Sequence, residues 1–284
     1  MDSKEFGLVF GQQITGLEDL HYGFWDEKVP APSLIHLKEA QDRYTEQLVE
    51  TLEHFGSTKM KIMDVGCGTG VVLSHLSQRG HDVDGVIPAP HLEKKVREKV
   101  SAQQLDSTIY PSVFEDVPTE KLAGQYDAIL FSESFQYIPY QTAIDQAKRL
   151  LKPDGIIVIC DFFKTENDGD GQPGDKSFGG GHKYSEFEKY LRSQSINVLE
   201  NRDITSETSP NIDLLDKLLN DRIGPALGTL DIYLSNKKPW LLKIFKWFFR
   251  KKIQRMQYKY FSGFRSQAVF ERYKTYRRIV LKMN

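Results

Sequence analysis

The residues best placed to do chemistry form one run, Asp64-Val65-Gly66-Cys67-Gly68-Thr69-Gly70. A short strand-like stretch from Lys59 to Val65 leads into it, and a helical pattern from Val71 to Arg79 follows. Glycines let a backbone turn tightly and come close to a ligand. A helix start offers it free N–H groups. The spacing is G-x-G-x-G, not the G-x-G-x-x-G of dinucleotide-binding turns. Asp64, two residues before the first glycine, would gain nothing beside a pyrophosphate, but it suits a ligand that carries an ammonium group.

A second set, Ser132-Glu133-Ser134-Phe135-Gln136-Tyr137, follows the apolar run Tyr126 to Phe131. Ligands bind at the carboxyl ends of strands in open α/β sheets. Glu133 and Gln136 are therefore candidates to orient a substrate; the alternative is that they cap the next helix. His182, behind Gly179-Gly180-Gly181, is the first candidate for a general base, and His21 is the second. A lone histidine serves equally well in a structural role. No His/Cys group has metal-ligand spacing.

Positioning these residues requires a regular scaffold. Leu37, Tyr44, Leu48 and Leu52 make one stripe of a helix over 34–55. Strands are expected at 59–65, 81–87, 107–113, 126–131 and 156–162, with helices at 71–79, 91–101 and 142–151 between them. Lys152-Pro153-Asp154-Gly155 is a turn. The alternation predicts a doubly wound, mostly parallel, Rossmann-like α/β sheet. The stretch from Lys164 to His182 is rich in Gly, Asp and Lys and reads as a long mobile loop. A helix over 184–193 and a strand over 196–204 follow. Residues 209–256 are mostly helical and break the βα rhythm, which predicts a helical insertion before a closing strand at 275–283. The domain is thus expected to comprise 1–205 and 257–284, with an arm over 1–33 and a cap insertion over 206–256.

Four landmarks in the right order resemble the class I S-adenosylmethionine-dependent methyltransferases. Asp64 to Gly70 resembles their first motif. Phe114-Glu115-Asp116-Val117-Pro118 is similar to the segment after their third strand, Tyr126-Asp127-Ala128-Ile129 to the start of their fourth, and Leu151-Lys152-Pro153-Asp154-Gly155 to the turn before their fifth. The likeness covers roughly residues 20–199. It implies S-adenosylmethionine as cofactor, with Asp64 supporting the loop and the methionine ammonium. Gly66, Cys67 and Gly68 would lie against the cofactor, Phe114 and Glu115 near the adenine, and Ser132 near the methionine part. It also implies methyl transfer to O, N or C of a small, lipophilic acceptor. Two departures stand out. Ile87 and Val113 occupy positions where the family usually carries acids for the ribose and the adenine amine. A ribose that loses such hydrogen bonds forfeits on the order of 1–3 kcal/mol. This keeps open a non-catalytic ligand-binding protein of the same fold.

Leu20-His21-Tyr22-Gly23-Phe24-Trp25-Asp26 resembles the H-Y-G-x-W arm of the enzymes that methylate sarcosine-like amines and tocopherol-type phenols, and of the cyclopropane fatty-acid synthases. That resemblance implies an arm closing over the cofactor, with Tyr22 and Arg43 on the methionine carboxylate. The plainer reading is that Tyr22 and Trp25 pack the arm onto the domain. A lipid-modifying enzyme of the cyclopropane-synthase type, working at a membrane surface, is the alternative within the same cofactor class.

Bulk properties set the outer limits. With 284 residues, 39% hydrophobic and 27% charged, the chain is an ordinary globular one. Its two cysteines, Cys67 and Cys160, predict reduced thiols rather than a disulfide framework. Met1 to Glu5 lacks the start of a signal peptide, and no run of apolar residues is long enough to span a bilayer, so a cytoplasmic protein is expected. The net charge of -1 conceals an asymmetry: Lys237 to Asn284 holds 15 Lys/Arg against one acid, Glu271, and the rest of the chain is correspondingly acidic. Within that end, Pro239 to Lys252 is aromatic and basic together. Three readings follow: a cap over an apolar pocket, a peripheral membrane contact through 239–252, and, as the least favoured, a nucleic-acid surface. Oligomeric state is not legible in the sequence.

Overall fold

Short runs such as Ile62-Met63, Ile129-Leu130-Phe131 and Ile156-Ile157-Val158-Ile159 have apolar side chains at consecutive positions. Strands of that kind must be covered on both faces. The computed structural model, which describes residues 9, 11–194 and 196–283, shows that this is so. Seven strands form one sheet: β1 (Lys61–Val65), β2 (Asp82–Val86), β3 (Ile109–Tyr110), β4 (Tyr126–Ser132), β5 (Leu151–Lys164), β6 (Asn197–Asp203) and β7 (Lys274–Lys282). Their order is β3-β2-β1-β4-β5-β7-β6. The first five are parallel, and β7 runs antiparallel between β5 and β6. The fold is the mostly parallel Rossmann-like sheet expected, with a helical insertion before the last strand.

Alternate strand residues serve opposite faces. Ile62, Leu130 and Val158 pack with Tyr44, Leu48 and Leu52 of α1 (Leu37–Phe55), with Leu73 and Leu76 of α2 (Val71–Gln78) and with Val96 of α3 (Pro90–Ala102). Met63, Phe131 and Ile159 pack with Ile144 and Leu150 of α5 (Tyr140–Leu150) and with Phe187 and Leu191 of α6 (Tyr184–Ser193). A short α4 (Thr119–Leu122) precedes β4. The edge strand β6 is largely exposed and carries Glu200, Arg202 and Asp203, charges that discourage pairing with another chain.

The segment between β6 and β7 contains α7 (Thr205–Thr208), α8 (Pro210–Leu218), a π-helical turn (Leu219–Ile223), α9 (Gly224–Lys237), α10 (Pro239–Phe261) and α11 (Gln267–Tyr273). Helices α9 and α10 bury no residue. The loop over 165–182, expected to be mobile, is instead tied to the start of β7. The buried Lys274 donates to the Gly180 carbonyl (2.7 Å), and Arg272 and Tyr273 both bond Asp170 (2.7 and 2.9 Å). The residues read as lacking a signal peptide, 1–5, lie outside the described residues.

The arm is held by backbone recognition that no local pattern announces. Asn211 of α8 accepts from the Gly23 N–H (3.0 Å) and donates to the Gly23 carbonyl (2.8 Å). The Trp25 N–H donates to the Glu207 carbonyl, and Phe24 and Trp25 are buried. Asn211→Ala removes both bonds to Gly23. The expected cost is about 1–3 kcal/mol, or a melting temperature lower by roughly 2–8 °C. Limited proteolysis should then cut the variant sooner than the parent within residues 16–30; an unchanged cleavage pattern would show that the arm does not depend on this clamp.

Candidate active site

The carboxyl ends of β1 and β4 lie side by side where the strand order reverses, the place where open α/β sheets bind ligands. Beyond β1 the loop turns through Gly66, Gly68 and Gly70, all with positive φ. Gly66 has no room for a side chain, since a Cβ there would lie 2.5 Å from that of Ser134. The Gly66 N–H donates to the Val86 carbonyl (2.8 Å), which fixes the loop to β2. Cys67 is a buried free thiol whose sulfur packs under Gly85. Gly68 is open except for the Asp19 carboxylate of the arm above it.

Asp64 ends up buried, and its Oδ2 has no hydrogen-bond partner among the described residues. Burial first, and the neighbouring Asp19 second, push its carboxyl up to about 7. An unsatisfied buried carboxylate oxygen beside a glycine cradle fits a ligand that brings an ammonium group. The residues therefore fit S-adenosylmethionine at its amino-acid end. At the ribose end they do not supply the usual acceptor: Ile87 is buried, and Val113 is exposed. Phe114 is buried edge-on against Phe131, and its carbonyl accepts from Gln146 (2.8 Å). Glu115 is exposed beside it.

The end of β4 holds the second cluster. Glu133, at φ 55°, is the first residue beyond the strand, and its N–H donates to the Cys160 carbonyl (2.9 Å). Its Oε1 accepts from the Tyr22 N–H (2.7 Å) and from the Tyr276 hydroxyl (2.9 Å). The Tyr276 hydroxyl also bonds that of Tyr44 (2.9 Å), and Tyr44 reaches Ser132 Oγ (3.3 Å). Buried Asp161 of β5 accepts from the Gln136 N–H (2.9 Å) and side-chain amide (3.2 Å). Enclosure by protein pushes Glu133 up to about 8 and Asp161 up to about 7, and the Asp161 carboxylate further disfavours charge on Glu133. Burial, with Glu133 next, likewise raises the Tyr22 phenol above its ordinary value.

The expected site residues thus divide. Glu133, Gln136, Ser132 and Tyr22 meet at one place, with Asp64, Gly66, Cys67 and Gly68 on the adjoining loop. Arg43 does not join them; it binds Asp26 (2.9 Å) and Glu50 (3.0 Å), which replaces the expected partnership with a ligand carboxylate. His182 bonds the Phe135 carbonyl (3.1 Å) and sits against Phe135 and Tyr140, on the α5–α6 face of the sheet. His21 stacks on Tyr44, its Nδ1 within 2.8 Å of the Tyr22 carbonyl. Tyr44, Asp161, Tyr276 and Asp19 were not singled out by sequence. Only Asp161 left a signal there, as the one acid inside the otherwise apolar run from Ile156 to Phe163.

The raised carboxyls make stability depend on pH. Each group binds its proton more tightly folded than unfolded, so stability falls as pH rises from the unfolded values near 4 to the folded ones between about 7 and 8. Each unit of upward shift corresponds to about 1.4 kcal/mol. The protein should therefore melt at a higher temperature at mildly acid pH than at mildly alkaline pH, with a shallower dependence in Glu133→Gln. Equal slopes in the two proteins would remove Glu133 from the explanation.

A methyltransferase-domain family model matches residues 37–202, more than half of the chain. Methyltransferase GfsG of Streptomyces halstedii is 29% identical over 168 residues, 56% of this chain and 58% of that protein. The ubiquinone biosynthesis O-methyltransferase of Acinetobacter baylyi is 27% identical over 158 residues, 55% of this chain and 62% of that protein. The chain thus spans about three fifths of the length of these curated relatives. The crystal structure of geranyl diphosphate C-methyltransferase from Streptomyces coelicolor superposes with a TM-score of 0.66 at 16% identity, covering 97% of this chain and 91% of that one, which shows a shared fold. The chain belongs to the methyltransferase-domain family, of the class I, S-adenosylmethionine-dependent kind.

Proposed function

We propose that this chain methylates a small, lipophilic acceptor that gives up a proton as it is methylated, an oxygen acceptor above all. The observation that carries the reading is the place of Glu133, a partly buried carboxylate just past the carboxyl end of β4 beside the glycine loop, whose surroundings raise its affinity for protons. A base that holds a proton near neutral pH matches the removal of one from a phenol or similar hydroxyl. A neutral amine acceptor would need no such group. The names of the relatives, ubiquinone biosynthesis O-methyltransferase and geranyl diphosphate C-methyltransferase, point to lipophilic acceptors for those proteins and support the same class here.

Asp64, Gly66, Cys67 and Gly68 would hold the amino-acid end of S-adenosylmethionine, Ser132 and Tyr22 would border it, and Phe114 and Glu115 would lie along its adenine. When bound, the cofactor supplies an electrophilic methyl carbon on a sulfonium. Glu133 takes the proton from the acceptor, Gln136 and Asp161 hold the loop after β4 in place, and the arm from Asp19 to Trp25 excludes water. The methyltransferase domain would be 1–205 with 257–284, and 206–256 its insertion. A lipophilic acceptor also partitions into bilayers, which gives the stretch 239–252 a role as a peripheral membrane contact. The second reading, a ligand-binding protein without turnover, is favoured by one observation: the side chains at Ile87 and Val113 cannot accept hydrogen bonds from the ribose and adenine.

Calorimetric titration with S-adenosylmethionine and S-adenosylhomocysteine tests the site first. Micromolar binding is expected, weakened at least about tenfold in Asp64→Ala, the loss of one charge-assisted contact. No binding of either ligand would overturn the proposal. In acceptor screens that follow S-adenosylhomocysteine release, Glu133→Gln should lower kcat by about 10²–10⁴ for hydroxyl acceptors. The deficit should shrink as pH rises and the acceptor ionises by itself. An undiminished kcat in Glu133→Gln would remove it as the base, and binding without release for every acceptor would favour the second reading.

A further inference from the structure

Helices α9 and α10 form an antiparallel pair, joined at Lys238 and pinned by the Lys246–Asp231 ion pair (2.6 Å). Neither helix has a buried residue, yet both are rich in large apolar side chains. Trp240, Trp247 and Phe248 are 63%, 66% and 73% exposed, values that a protein facing only water rarely tolerates in one patch. On α10 the two chemistries are sorted. Trp240, Ile244, Trp247 and Phe248 recur at i, i+4, i+7 and i+8, one face of a helix. Lys243, Lys246 and Arg250 recur at i, i+3 and i+7 on another. Past Arg250 the helix turns basic on the apolar side too, with Lys251, Lys252 and Arg255.

We propose that this helix pair docks the protein on an anionic lipid surface, with Trp240, Trp247 and Phe248 in the interface and the basic cluster among the headgroups. Charge complementarity selects this occupant. Residues 239–261 carry seven Lys/Arg and no Asp or Glu. Among the described residues only Lys246 of these has an acidic partner. Tryptophans favour the boundary between headgroup and acyl chain, where their rings are apolar and their N–H groups are wet. The mode is surface docking, because no helix among the described residues is long and apolar enough to cross a membrane. The aliphatic Leu241 and Ile244 set within the aromatic face suit acyl chains better than stacked bases.

The pair is rooted at the candidate site. Tyr258 of α10 accepts from the Gly174 N–H (3.3 Å), and Arg265 covers the ring of Phe178, which packs on Phe270. Phe270 in turn faces Tyr22. Docking would therefore bring the loop over 165–182 and the arm to the bilayer, a direct route for a lipophilic acceptor. Only this route rests on the methyl-transfer reading; the docking surface itself does not.

The test is flotation of the intact protein with vesicles of phosphatidylcholine alone and of phosphatidylcholine mixed with phosphatidylglycerol. Binding is expected to the anionic vesicles and little to the neutral ones, with loss in high salt. Trp247→Ala combined with Phe248→Ala, and separately Lys251→Glu combined with Lys252→Glu, should each weaken partitioning on the order of tenfold or more. Tryptophan emission should shift to the blue on docking, reporting Trp240 and Trp247 because Trp25 is already buried. Both variants should keep the parent's melting temperature and its S-adenosylhomocysteine binding, which separates failed docking from a failed site. No flotation, equal flotation with neutral vesicles, binding to single-stranded oligonucleotide instead, or a concentration-independent dimer that Trp247→Ala with Phe248→Ala dissolves would each overturn the proposal.

Discussion

One carboxylate oxygen joins three parts of the chain that are distant in sequence. Glu133 Oε1 accepts from the backbone of the arm at Tyr22 and from the hydroxyl of Tyr276 on the last strand, while the residue itself closes β4. Such bonds strengthen when the carboxyl is ionised. They are also costly to break where the oxygen is enclosed, because nothing else can satisfy it. The arm is thereby closed over the end of β4 at the point where β7 also meets it.

The sheet makes that closure affordable in free energy by doing its own packing elsewhere. Each central strand sends alternate side chains into two separate apolar layers, and Asp64, Glu133 and Asp161 gather towards the carboxyl ends of β1, β4 and β5. Asp64 and Asp161 are thus buried, and Glu133 partly so, without disturbing either layer. Their raised proton affinities record the cost of burying carboxylates that have no cationic partner among the described residues, and that cost is what suits them to bind an ammonium group or to receive a proton.

The helical insertion obeys a different constraint. Its first part, α8, is bound to the arm by Asn211 and contributes buried Ile212 and Leu214. From Gly224 to Phe261 the two helices bury no residue and keep large apolar side chains exposed. An apolar face this large, with basic residues beside it, is stable in the long term only against a partner that accepts both.

The local part of this protein was legible in its residues. Periodicity marked the strands and helices, and the acid before G-x-G-x-G marked the ligand loop, because both are set by neighbours in the chain. The Lys152–Gly155 turn and the helical break in the βα rhythm after β6 were legible for the same reason. Tertiary structure decided the rest. It gave Arg43 to Asp26 and Glu50, placed His182 among aromatic rings on the far face, and brought Tyr44, Asp161 and Tyr276 around Glu133. Tyr44 and Tyr276 are 232 positions apart, and the pairing of their hydroxyls follows from packing rather than from any spacing. The exposure of α10 was equally hidden: an aromatic and basic helix has the same sequence whether it covers a pocket or projects from the domain, and only the contacts it lacks tell the two apart.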